Sequence, residues 1–137
     1  KAVEAEGADA VSVTNTFIGM AVDVKKRMPK ISTTTGGLSG PAIKPLALAK
    51  VYEVAQSVKI PVIGIGGIMT AEDALEFLIV GASAVEVGTA NYIDPSAGVK
   101  IANGIAQFCT EQRINSVADL VGSLKTNKEF SVIHSWL

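Results

Sequence analysis

Apolar and polar positions along the chain fall into short β-branched runs that alternate with longer stretches of helical period. Ala10, Val11 and Val13 mark a strand over 9–14. Ile43, Ala47, Val51, Val54, Ala55 and Val58 recur at three- and four-residue spacing and predict a helix over about 42–58. Val62–Ile65 predicts a second strand and Thr70–Val80 an amphipathic helix; Thr70 with Asp73 makes a capping-box start, and Gly81 closes it. A third strand is predicted over Ala84–Val87. Asp94-Pro95 reads as an N-cap followed by proline, opening a helix to about Gln112 that buries Val99, Ile101, Ile105 and Phe108. Ser116 caps a short helix through about Ser123. At the other end, Lys1–Gly7 reads as the tail of a helix, with Val3 and the alanines as its apolar stripe. The pattern predicts no element for Leu124–Leu137. Between the first strand and the first long helix runs a long loop, Asn15 to about Pro41; loops of that length in compact domains serve as lids or binding loops.

Strands alternating with helices imply a parallel sheet wound in right-handed units. Two of the strands end in glycine: Pro61-Val-Ile-Gly-Ile-Gly-Gly-Ile68 and Ala84-Val-Glu-Val-Gly-Thr-Ala90. Glycine lets bare backbone N–H groups approach an anion, and a following helix start adds a favourable dipole. Two such turns on neighbouring strands make a phosphate cradle, which in (β/α)₈ TIM barrels commonly follows strands 7 and 8. An open doubly wound sheet also fits the alternation. The recurrence of glycine after two successive strands favours the barrel, because a dinucleotide fold carries a single fingerprint after its first strand. With 137 residues against about 250 for a complete barrel, the expectation is that residues 1–137 are the carboxyl-terminal part of a single barrel domain, its last three βα units.

Composition narrows the partners. A net charge of −1 gives no electrostatic footprint for nucleic acid or an acidic membrane surface. No apolar run approaches the ~18–20 residues that span a bilayer. The single cysteine, Cys109, excludes an internal disulfide and fits a reducing compartment, so a cytoplasmic location is expected. No cysteine–histidine cluster offers a metal site.

Four motifs occur in order: Thr14-Asn15-Thr16, Gly36-Gly37-Leu38-Ser39-Gly40-Pro41-Ala42-Ile43-Lys44-Pro45, Ile65-Gly66-Gly67-Ile68 and Val87-Gly88-Thr89-Ala90. Together they resemble the dihydroorotate dehydrogenase family, class 1, and the second is similar to the catalytic subunit of its NAD-linked B type. The resemblance covers Gly7 to about Gln112. It implies an FMN-dependent oxidation of dihydroorotate to orotate in pyrimidine biosynthesis. It assigns the FMN phosphate to Gly66, Gly67, Gly88 and Thr89, and flavin contact to Gly40 and to the Thr14 backbone. Asn15 and Thr16 would hydrogen-bond the pyrimidine ring. A homodimer is implied, with FAD and an iron–sulfur cluster only in an electron-transfer partner subunit and NAD as final acceptor. Other FMN barrels, such as a dihydropyrimidine dehydrogenase, and an inactive phosphate-binding fragment remain as alternatives.

The residue types suit that chemistry. Backbone donors bind a phosphate without adding a titrating group, and the Asn15 carboxamide offers donor and acceptor in one plane. The family's cysteine base and flavin-contacting lysine are expected before residue 1, so no catalytic residue is assigned within 1–137. Cys109, in the last long helix, is no substitute. Glu86, a carboxylate in an apolar strand, is expected to pair with a basic group rather than to catalyse. Lys44 reads as structural or as a solvated surface charge, and Lys25-Lys26-Arg27 as a solvated stretch of loop. His134 is expected to have no metal or acid–base role.

Overall fold

The computed structural model describes residues 1–126. Helix α1 (Ala2–Ala5) buries none of its residues, Val3 included, and leads into strand β1 (Val11–Val13). The segment expected as a loop instead carries β2 (Phe17–Gly19), β3 (Val22–Asp23), β4 (Met28–Pro29) and β5 (Gly36–Leu38). β2 pairs antiparallel with β5, and the β3–β4 pair is nested between them. Two- and three-residue strands, one containing Gly36-Gly37, leave too few alternating positions to be read as period two. At the tip, Asp23 Oδ1 accepts the N–H groups of Lys25 and Lys26, each at 3.0 Å, so the basic run is a solvated turn.

A 3-10 turn (Pro41–Ile43) opens α2 (Lys44–Ala55), shorter at both ends than the spacing predicts. β6 (Val62–Ile65) and α3 (Ala71–Ile79) follow as expected, with both reciprocal bonds of the Thr70–Asp73 capping box formed. β7 (Ala84–Glu86) ends at the second glycine turn. Asp94 does not cap the last long helix. A four-residue helix, α4 (Ala90–Ile93), intervenes, and α5 (Ala97–Glu111) begins three residues beyond Asp94. Asp94 instead accepts Ser96 N–H and Oγ and pairs with Lys100 Nζ at 2.6 Å. These bonds hold its carboxyl down at about 2, the lysine contributing most. Val99 is 66% exposed rather than buried. The face of α5 that meets α3 runs through Ile101, Ile105 and Phe108, and Val99 lies two residues, about 200°, off that stripe. The Ser116 cap and its box with Asp119 hold a 3-10 turn, Val117–Leu120. His134 and residues 127–137 lie outside the described residues.

The main sheet is parallel in the order β1-β6-β7, so three strand–helix units stand side by side. Val62, Gly64 and Val85 face the helices, where Val51, Phe77 and Ile101 complete the core. Phe77 is fully buried. On the opposite face Ser12, Ala84 and Glu86 are exposed. Cys109 is buried with Leu75, Leu78 and Leu120 in a second cluster on the helix side, away from the strand ends.

Candidate cofactor and substrate site

The carboxyl ends of all three parallel strands open into one cavity of about 280 Å³. Thr14, Asn15, Thr16, Gly40, Gly66, Gly67, Gly88 and Thr89 all line it, which brings the four sequence motifs to one place. β1 delivers the first of these groups. Its last peptide, Val13–Thr14, is cis, and Thr14 N–H extends the ladder by donating to Ile65 O at 2.9 Å. Asn15 Oδ1 accepts Thr16 N–H at 2.7 Å and Thr16 Oγ1 at 3.3 Å. The carboxamide is therefore held by local bonds through its oxygen, while its Nδ2 has no partner among the described residues.

The turn after β6 has a packing reason for its glycines. Gly66 and Gly67 have φ of +136° and +76°. A Cβ on Gly66 would lie 2.6 Å from Ala47 Cβ, and one on Gly67 would lie 2.8 Å from both Gly40 O and Lys44 N. The turn thus presses directly on the glycine loop and the start of α2. Asp73 fixes Met69 and Thr70 beyond the turn: Oδ2 accepts their N–H groups at 2.9 Å, and Oδ1 meets Lys44 Nζ at 2.6 Å. Lys44 also reaches Glu76 Oε1 at 2.9 Å. Lys44 is accordingly a clamp between α2 and α3 rather than a free surface charge. Its hydrogen bonds to Asp73 and then Glu76 hold its pKa above the ordinary value. Burial pushes Asp73 upward, but the bonds from Lys44, Met69 and Thr70 outweigh it and leave the carboxyl below its usual range.

Gly88 is different. A Cβ there would meet nothing within 4 Å, and its φ is not in the left-handed region. Packing among the described residues does not require this glycine, and open space lies beside it. The N–H groups of Gly67, Gly88 and Thr89 donate to no protein acceptor among the described residues. Among the described residues no lysine or arginine lines the cavity, so the donors they offer an anion there are backbone N–H groups and neutral side chains. The helix after the second turn has only four residues, so its dipole adds less than the sequence suggests.

Thr89 Oγ1 donates to Ser39 Oγ at 2.8 Å, which ties the second glycine turn to the glycine loop above it. Sequence reasoning missed Ser39, Glu86 and Tyr92 as cavity-lining residues. Ser39 sits within a motif already singled out and was legible as its neighbour. Tyr92, 92% exposed at the rim, carried no signal because α4 was not anticipated.

The free donors and the open space at Gly88 fit a phosphate, and the free Asn15 amide fits a planar heterocycle. A family model described as dihydroorotate dehydrogenase matches residues 1–109. The chain is 60% identical over 122 residues to the dihydroorotate dehydrogenase B (NAD(+)), catalytic subunit, of Thermodesulfovibrio yellowstonii, covering 89% of this chain and 40% of the relative. To the protein of the same name from Porphyromonas gingivalis it is 55% identical over 124 residues, covering 90% and 40%. The chain therefore spans about 40% of the length of these curated relatives. Among solved structures, a crystal structure of DHODH in complex with ferulenol from Eimeria tenella matches with a TM-score of 0.72 at 30% identity, over 89% of this chain and 32% of that one.

Proposed function

The chain belongs to the dihydroorotate dehydrogenase family, and from that membership we propose that it is part of an FMN-dependent enzyme that oxidises dihydroorotate to orotate, with NAD as final acceptor. The family and the structural neighbour carry the TIM-barrel fold, and we read the three strand–helix units as the last three of that barrel. The observation that carries the functional reading is the convergence of four separated motifs on one cavity at the strand ends.

In this reading Gly67, Gly88 and Thr89 hold the FMN phosphate through backbone N–H groups, beside Gly66 in the same turn. Thr89 also offers a hydroxyl, now engaged with Ser39. Gly40 and the Thr14 backbone lie against the ring system. Asn15 and Thr16 orient the pyrimidine, and the local bonds at Asn15 Oδ1 restrict the carboxamide to one orientation before substrate arrives. When bound, the flavin accepts the hydride that leaves the substrate. The base that removes the accompanying proton is not supplied by Cys109, which is buried on the far side of the sheet. An electron-transfer subunit carrying FAD and an iron–sulfur cluster, and pairing of two catalytic chains, complete the proposal.

The test is spectroscopic. The full-length protein should purify yellow, and dihydroorotate should bleach the flavin band without oxygen. NAD should be reduced only when the partner subunit is present. A colourless protein, or a flavin that dihydroorotate leaves oxidised, refutes the assignment.

A further inference from the structure

Glu86 is a carboxylate on the inner face of β7, at the end where that strand opens into the cavity. It lies in register with Ile65. Its side chain reaches across β6 to β1, where Ser12 Oγ donates to Oε1 at 3.3 Å. Oε2 has no partner among the described residues. The carboxylate therefore spans the floor between the end of β1, with Thr14 and Asn15, and the turn after β7, with Gly88 and Thr89.

On the reading proposed above, those two ends serve the ring and the phosphate of the flavin. Ile65 and Glu86 line the cavity between them. Ile65 offers only hydrocarbon, and Glu86 only an acceptor. Glu86 is exposed on this face; a carboxylate near a phosphate is disfavoured by like charge, and a hydroxyl donor facing Oε2 would offset that repulsion. The flavin's polyol chain, which joins ring to phosphate, carries hydroxyl donors. We infer that Glu86 Oε2 accepts a hydrogen bond from a hydroxyl of that polyol, while Ser12 fixes the carboxylate through Oε1. The inference rests on the flavin reading and adds a position to it.

The experiment uses the full-length enzyme stripped of flavin and titrated with FMN, with riboflavin, which lacks the phosphate, and with lumiflavin, which lacks phosphate and polyol. Glu86→Ala should weaken FMN and riboflavin by the same factor, about tenfold or more, and leave lumiflavin unchanged. Glu86→Gln keeps a neutral acceptor and should lose less, in the same pattern. Unchanged lumiflavin binding also shows that the ring pocket is folded. Equal weakening of all three flavins by both variants overturns the inference in favour of a purely structural carboxylate or one paired with a cation elsewhere. Tighter FMN with unchanged riboflavin overturns it too, because the carboxylate would then act only by repelling the phosphate. Unchanged affinities in both variants likewise overturn it. Failure of the flavin reading looks different: the unsubstituted enzyme would bind neither FMN nor riboflavin.

Discussion

Replacing Gly88 by leucine separates ligand binding from folding, which substitution at Gly67 does not. A Cβ at Gly88 meets nothing within 4 Å and demands no unusual φ, so the side chain enters open space at the cavity edge. The apoprotein's stability should therefore change by no more than about 0.5 kcal/mol. The same side chain covers the N–H groups of Gly88 and Thr89, which have no protein acceptor among the described residues. Hydrogen bonds to a charged group contribute about 1.5–3 kcal/mol each. Losing one weakens FMN by about tenfold to a hundredfold, and losing both by up to ~10⁴-fold, at 1.4 kcal/mol per decade. At Gly67, by contrast, even alanine brings Cβ within 2.8 Å of Gly40 O and Lys44 N at φ +76°. The left-handed conformation alone costs about 1–2 kcal/mol for a residue with a side chain. Flavin lost from that variant would say little about the phosphate. The assay is fluorescence titration of the flavin-free full-length protein with FMN, beside thermal unfolding of the same apoprotein. Gly88→Leu with unchanged stability and unchanged FMN affinity would refute the cradle.

Asn15→Ala in the full-length enzyme should lower kcat/KM for dihydroorotate by about fivefold to a hundredfold, from one ring group left unpaired at about 1–3 kcal/mol, with flavin content intact; normal turnover with lost flavin would assign Asn15 to the other ligand. Lys44→Met should destabilise by about 1 kcal/mol near neutral pH, since the lysine and Asp73 are partly exposed. Because Asp73 titrates below its usual range, that difference should be complete above the unfolded carboxylate range and fade as the pH falls through the folded value. Because Lys44 titrates above 10.5, it should be complete below that pH and fade only as the pH rises past the folded value; a difference that vanishes at pH 7 counts against the clamp. Residues 1–137 produced alone should self-associate and fail to bind FMN stoichiometrically, because β1 and β7 each present an unpaired edge among the described residues and Ile18 is 87% exposed; a flavin-binding monomer by sedimentation would refute this.

What was legible in the sequence was whatever one element could specify by itself. Thr70 and Asp73 set the start of α3 because both bonds of a capping box lie within four residues. Val62–Ile65 was readable because it is a short, unbroken run of β-branched residues and glycine bounded by proline and a double glycine. The Asn15–Pro41 segment was not readable, because its ladders are specified by pairing across up to twenty residues and contain glycines with no side-chain pattern. Asp94 misled for a related reason: the aspartate–proline signal fits a helix cap, but the four residues before it had already turned into α4.

The site shows the same division in sharper form. Sequence could propose that Gly66, Gly67 and Gly88 act together, since all three follow strands. It could not separate their reasons for being glycine. Gly66 and Gly67 lie under α2 and the glycine loop, where any Cβ collides, so both would be required even in a barrel that bound nothing. Gly88 has no such constraint. The weight of the phosphate assignment therefore shifts from the double glycine, the more conspicuous motif, to the single glycine beside Thr89. The hydroxyl of Thr89, bonded to Ser39, links that turn to the loop over the cavity. An anion drawing on the Thr89 hydroxyl would compete with Ser39 for the same proton, so on the proposed reading phosphate binding and the position of the glycine loop would be coupled through one side chain.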